Sequence, residues 1–162
     1  MEGLNYLKHV QVIHCDLKPE NILYTDSSRT NIKIIDFGSS CSRSEEGFSC
    51  VQSRYYRAPE VALGLPYDHA VDMWSLGCIA AELYTGVPLF PGCDENELLE
   101  FHVLISGNPP KSMIDKAKKK EKFFNVKDGY KLERSPKSRL VHLSKNSGNL
   151  YHILFKRKGI TE

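Results

Sequence analysis

Between positions 14 and 21 the sequence reads His14-Cys15-Asp16-Leu17-Lys18-Pro19-Glu20-Asn21. A carboxylate, a cation and a carboxamide thus share one tight loop, a set of side chains suited to moving a phosphoryl group. The carboxylate can orient or deprotonate a hydroxyl, the ammonium can offset charge on the transferred group, and the carboxamide oxygen can hold a hard cation. Twenty residues beyond Asp16, Asp36-Phe37-Gly38 supplies a second metal-binding carboxylate. Phe37 is expected to pack inside, and Gly38 allows an unusual backbone turn. Alone, that triplet arises by chance and reads as an ordinary strand exit with an exposed Asp. Beside the first loop, chance is implausible. Ala58-Pro59-Glu60 and Asp72-Met73-Trp74-Ser75-Leu76-Gly77 follow downstream.

The elements that must hold these residues can be read from hydrophobic periodicity. Residues 4 to 13 look like the end of an amphipathic helix whose start lies upstream. Ile22-Leu23-Tyr24 and Ile32-Lys33-Ile34-Ile35 are β-prone runs separated by the turn-forming stretch 26 to 31, a hairpin signature. From Ala70 to Thr85 the pattern is apolar nearly all round and stops at Gly86 and Pro88, which predicts a buried central helix. Asp94 and Glu97 resemble a capping box, and Leu98, Phe101 and Ile105 then recur at helical spacing, predicting a second helix. Beyond Pro110 the chain turns basic. Only Leu150 to Phe155 offers another apolar element, and low order is expected from about Lys127 onward.

Composition sets the outer limits. With 162 residues, 41% of them hydrophobic, the chain can bury a core, so one globular domain is expected. Its five cysteines are odd in number and form no C-x-x-C pair, which argues against a disulfide framework or a zinc clip and favours a reducing, intracellular setting, cytoplasm and/or nucleus. No apolar run approaches the roughly 20 residues that span a bilayer. The net charge of +2 conceals an asymmetry: residues 1 to 110 sum to minus 8 and residues 111 to 162 to plus 10. The run Lys116-Ala117-Lys118-Lys119-Lys120-Glu121-Lys122 could contact nucleic acid, an acidic partner or an import receptor, but a solvated lysine face is the plainer reading.

Asp16 to Asn21 with Cys15 in place of arginine, then Asp36-Phe37-Gly38-Ser39-Ser40-Cys41, Gln52-Ser53-Arg54-Tyr55-Tyr56-Arg57-Ala58-Pro59-Glu60 and Pro88-Leu89-Phe90-Pro91-Gly92, together resemble the dual-specificity tyrosine-regulated (DYRK) kinases of the CMGC group. The homeodomain-interacting kinases are next closest. The likeness runs from about residue 4 to about residue 130 and takes in the basic run, so nucleic acid is not expected as a partner. It implies a protein kinase-like fold, α+β overall, of which this chain would be the mainly α C-terminal lobe with a short β-hairpin and without the N-terminal lobe. Residues 1–126 would be a partial kinase domain and 127–162 a basic, poorly ordered insert or tail. The resemblance also implies phosphorylation of Ser or Thr on protein substrates, often before proline, with ATP and Mg2+ as cofactors. Matched to the known kinase mechanism, Asp16 and Lys18 are the catalytic residues and Asn21 and Asp36 the metal ligands. Ser53, Arg54 and Arg57 belong to the activation segment and substrate docking, and His14, Glu60 and Asp72 give structural support. In kinases the residue matching Asp72 accepts from the catalytic-loop backbone, and Glu60 would seek a later arginine.

Two departures stand out. In the family, a tyrosine two positions before Gln-Ser-Arg phosphorylates itself and would pair with Arg54 and Arg57; here that position is Cys50, so the self-activation switch is expected to be absent and both arginines to lack an anionic ligand. The 11 glycines nowhere form G-x-G-x-x-G, and no V-A-I-K-type lysine precedes Asp16. Little or no activity is therefore expected of the chain alone, and the uncovered surface near Phe37 should favour association. The alternatives are a non-catalytic kinase-like binding module and an incomplete gene model.

Overall fold

The structure is a computed structural model and describes residues 1–42, 51–125, 128–133, 138 and 140. Helix α1 (Glu2–His9) carries Glu2 in its first turn and Lys8 in its last, each charge facing the helix-dipole end that favours it. It stops earlier than periodicity predicts, because Gln11 takes a left-handed φ of 59°. Strand β1 (Val12–Ile13) follows and pairs antiparallel with β4 (Cys41–Ser42), Ile13 opposite Cys41. Between them, β2 (Ile22–Tyr24) and β3 (Ile32–Ile34) form the expected hairpin, with Leu23 opposite Lys33. The Asp16 loop leads into this hairpin, and the Asp36 triplet leaves it.

Helix α2 (Pro59–Ala62) starts with proline, whose missing N–H costs nothing in a first turn. Helix α3 (Ala70–Thr85) ends where Gly86 takes φ 79° and donates its N–H to Glu82 O. Its burial is one-sided, contrary to the all-round pattern. Val71, Asp72, Ser75, Cys78 and Ile79 face inward, whereas Met73, Leu83 and Tyr84 are exposed, Leu83 at 77%. Helix α4 (Glu95–Ser106) opens with Asp94 accepting from the Glu97 N–H at 2.8 Å. The Glu97 carboxylate reaches the N–H of Cys93 at 2.7 Å, one residue short of a standard capping box. Phe101 and Ile105, expected on the buried face, are only half-buried, and His102 is buried instead, edge-on to Trp74 and Phe90. Burial holds His102 well below the ordinary imidazole range, at about 3, so the ring is neutral.

Two apolar clusters form the interior. One gathers Leu17, Leu63, Leu98, Leu99, Ile114, Phe123 and Phe124; the other joins Ile13 and Cys15 to Ala58, Val61 and Val71, and Trp74 packs against both. Helices α5 (Lys111–Lys116) and α6 (Lys120–Phe123) carry the basic run, followed by β5 (Phe124–Asn125) paired with β6 (Lys131–Leu132). The pairing of Phe124 with Leu132 and of Asn125 with Lys131 joins residues on either side of the division expected at 126/127. The Leu150 to Phe155 segment lies outside the described residues. Lys119 and Lys122 reach back to Glu95 at 3.0 and 2.8 Å, fastening the basic run to the start of α4. Part of this run is thus a tether rather than a solvated face. Among the described residues, no helix is long and apolar enough to cross a membrane.

Two stability effects follow. A Cβ on Gly92 would lie 2.6 Å from Leu98 N and 2.7 Å from its Cα, so Gly92→Ala must displace the first turn of α4; a loss of about 1 to 3 kcal/mol is expected in urea unfolding. Burial alone would raise the Glu95 carboxyl, but Lys122 and Lys119 outweigh it and pull the carboxyl down to about 2. A carboxyl with a depressed folded value stabilises above its unfolded value of about 4.5 and loses that contribution as pH falls towards 2. Glu95→Gln should lower the unfolding midpoint most near pH 6 and converge with the wild type as pH falls towards 2, flattening that acid limb.

Candidate active site

The site is assembled around one buried carboxylate. Asp72, on the first turn of α3, accepts the N–H of His14 at 2.8 Å on Oδ2 and the N–H of Cys15 at 3.0 Å on Oδ1. An Asp inside an apolar helix is costly unless its oxygens are satisfied, and these two bonds satisfy them. Burial still dominates and raises the Asp72 carboxyl above its ordinary value, with the two N–H donors opposing. His14, fully buried, accepts from the Asp16 N–H on Nδ1 at 3.2 Å and places Nε2 3.0 Å from Ile35 O. These partners fit a neutral ring with its proton on Nε2. One histidine therefore links the Asp16 loop to the residue before Asp36.

Asp16 is half-buried and its carboxylate is surrounded by donors. Lys18 Nζ donates to Oδ2 at 2.8 Å, Ser53 donates to Oδ1 through Oγ at 2.7 Å and through N–H at 3.2 Å, and Asn21 Nδ2 lies 2.9 Å from Asp16 O and 3.4 Å from Oδ2. Burial pushes the Asp16 carboxyl up, but Lys18 and Ser53 together hold it below the usual carboxylate range. The same bond raises Lys18, which stays an ammonium. The structure thus brings Asp16, Lys18, Asn21 and Ser53 together.

Asp36 is exposed at a left-handed φ of 63°, an uncommon conformation for a non-glycine residue, with Oδ1 accepting from Gly38 N–H at 3.3 Å. Phe37, expected inside, is 43% exposed; its ring meets that of His14 in an edge-on contact, 4.8 Å between ring centres. A packed ring would need apolar neighbours on both sides, and here Ile35, Leu23, Tyr24 and Ile32 on the adjoining hairpin are exposed too.

Arg54 and Arg57 are not left idle. Arg54 Nη1 donates to Cys93 O at 2.6 Å. Arg57 donates to Val51 O and Gln52 O and lies 3.8 Å from Glu95 Oε1, so among the described residues its anionic partner is a carboxylate of the protein itself. Phe48, Ser49 and Cys50 lie outside the described residues. Glu60 has no ion pair among the described residues, and its carboxyl is raised, first by burial and further by Asp68.

Gln52 escapes sequence reasoning as a functional residue. Its N–H donates to Cys15 O at 2.8 Å, Nε2 donates to Val71 O and meets Ser75 Oγ, each at 2.8 Å, and Oε1 accepts from Ala58 N–H at 2.8 Å. It holds a left-handed φ of 66° and is buried. Ser75 Oγ passes the network to Tyr56 O. Nothing in the sequence signals this, because a glutamine in a loop looks the same whether it is solvated or bridging three elements.

For a metal, the available donors are hard oxygens. The Asn21 amide nitrogen is engaged on Asp16, which leaves Oδ1 for a cation, and exposed Asp36 has one oxygen on Gly38 and a second to offer. This donor set fits magnesium rather than zinc or a softer ion. Among the described residues, no group of three or more His, Cys, Asp or Glu side chains is placed to hold a metal.

The sequence matches the description of a protein kinase domain over residues 1–146. It is 52% identical over 127 residues to the human dual specificity tyrosine-phosphorylation-regulated kinase 4, and 49% identical over 151 residues to the Drosophila melanogaster dual specificity tyrosine-phosphorylation-regulated kinase 2. It is 52% identical over 124 residues to the probable serine/threonine-protein kinase dyrk2 of Dictyostelium discoideum. These alignments take in 78%, 93% and 76% of the chain but 24%, 21% and 14% of those relatives, so the chain spans a quarter of their length or less. With the Asp16 loop, the Asp36 triplet and the Ala58-Pro59-Glu60 segment placed as described, the chain belongs to the protein kinase family and is DYRK-like within it.

Proposed function

We propose that this chain carries the phosphoryl-transfer half of a DYRK-like serine/threonine kinase site, moving the γ-phosphate of ATP to Ser or Thr hydroxyls of intracellular proteins. The observation that carries this reading is the convergence of Lys18, Asn21 and Ser53 on the Asp16 carboxylate. An ionised, fixed carboxylate can accept a hydrogen bond from an incoming hydroxyl and take its proton as the bond to phosphorus forms. Lys18, bonded to Asp16, would offset charge on the transferred group. Asn21 and Asp36 would hold magnesium, which supplies charge neutralisation at the phosphates when bound. Arg54 and Arg57 would shape the substrate-facing segment through the main-chain bonds they make, with Ser53 setting its distance from Asp16.

A second reading has its own support: the sequence contains no G-x-G-x-x-G and no strand lysine ahead of Asp16. Phosphoryl transfer is almost entirely positioning and charge stabilisation, so residues 1–162 alone would transfer little. Leu23, Tyr24, Ile32, Ile35 and Phe37 are all exposed, apolar surface that an ATP-gripping lobe would cover in part. Without one, the chain would act as a kinase-like binding module.

Labelled phosphate transfer from Mg-ATP to a Ser-Pro peptide with an upstream arginine separates these readings. Fused to the glycine-rich lobe of one of the relatives above, the chain should phosphorylate the peptide, and Asp16→Ala should lower the rate by about 10²- to 10⁴-fold while leaving the fold intact. Asp36→Ala should abolish magnesium-dependent transfer. Silence of the fused, folded protein would establish the binding module; full activity of residues 1–162 alone would overturn the need for a second lobe.

A further inference from the structure

The sequence of α3 is apolar nearly all round, the pattern of a helix covered on both sides, yet the described residues cover only one. On its open side Met73, Gly77, Ala80 and Tyr84 recur at helical spacing, and all four are exposed. With Leu89 and Ile105 they border a groove of about 630 Å³, almost wholly apolar, that also reaches Trp74. Folded proteins seldom leave a contiguous face of this kind bare. Residues 141–162 lie outside the described residues, and their anchor is close by. Ser138 donates to the Glu100 carboxylate on α4, and Leu140 beside it is buried. Nine residues lead from Leu140 to Leu150, a reach of roughly 30 Å when extended. Ile105, on the groove, stands five positions along α4 from Glu100, about 8 Å, so the reach exceeds the span even with a helix roughly 10 Å wide to cross.

We propose that Leu150 to Phe155 dock in this groove, so that the chain covers the open face of its own α3. The segment fits by chemistry. Leu150, Ile153 and Leu154 have the spacing of one helical face, matching the stripe on α3. Residues 141–162 sum to plus 3, opposite in sign to the minus 8 of residues 1–110. Tethering favours this occupant over a second copy, because a segment held about ten residues from its anchor is presented at an effective concentration of order millimolar. The all-round apolar pattern of α3 then has a physical reason on both sides. The inference concerns packing and does not depend on the chain being an active kinase.

Trp74 is the only tryptophan, so its fluorescence reports on the groove. In the purified full chain its emission should be shielded from acrylamide, and the shielding should persist through a roughly hundredfold dilution. Ile153→Asp with Leu154→Asp should raise the quenching constant by about threefold while the helical circular dichroism is retained. Gly77→Leu tests the groove from the other side: a Cβ there meets nothing within 4 Å, so a larger side chain has room to enter the groove. It should speed trypsin cleavage after Lys156, Arg157 and Lys158 by about fivefold or more. Three outcomes would overturn the proposal: equal quenching in the wild type and the tail double variant, shielding lost on dilution, which would assign the groove to a second copy, or unchanged cleavage of the tail in Gly77→Leu.

Discussion

The Asp72 carboxylate is the point on which the other parts of the site depend. Its two oxygens take the N–H groups of His14 and Cys15, and the direction in which Asp16 leaves the main chain is set by those bonds. The carboxylate is buried and its value raised, so its alternative to these hydrogen bonds is an unsatisfied charge in an apolar core, worth several kcal/mol. The helix that carries it, α3, is 16 residues long and wedged between two apolar clusters through Trp74. A rigid element thus positions a loop that has almost no regular structure of its own.

From that fixed loop, the activation-side segment is hung by polar bonds that add to the apolar packing of Val51, Tyr56 and Ala58. Gln52 donates to Cys15 O, Ser53 to Asp16, and Arg57 to Gln52 O. Left-handed φ values fall on Cys15, Asp36 and Gln52, three non-glycine residues within this one site. Each such residue costs of order 1 kcal/mol or more and persists only where its surroundings over-determine it, as the hydrogen bonds of Cys15 and Gln52 do here. The Glu95 network closes the arrangement from the other side, since Arg57, Lys119 and Lys122 all converge on its carboxylate. With Cys50 in place of the family's tyrosine, the anion that Arg57 meets among the described residues is the Glu95 carboxylate.

Much of this is legible in the sequence itself. The α3 limits, the β2–β3 hairpin and the Asp94 cap follow from local signals, because glycine, turn residues and capping carboxylates act within a few residues of themselves. Asp16, Lys18 and Asn21 were legible because their chemistry is compressed into six positions. What was not legible is long-range. The buried side of α4 could not be inferred from apolar spacing, since His102 and Glu97 take inward places that Phe101 and Ile105 were expected to fill. Gln52 bridges three segments, and Lys119 and Lys122 meet Glu95 across more than 20 positions, relations that no local pattern encodes. Phe37 was misread because the triplet does not say what will cover the ring.

The central claim is that Asp72, acting through two main-chain bonds, holds the catalytic loop in place. Residue-resolved hydrogen exchange on the wild type and on Asp72→Asn tests it most directly, since the amide variant keeps the size of the side chain but retains only one acceptor oxygen. Protection at the His14 and Cys15 amides should fall by at least tenfold at one of the two positions, while the α3 amides from Ser75 to Thr85 keep theirs. Unchanged protection at both loop amides, in a variant whose α3 is intact, would contradict the account.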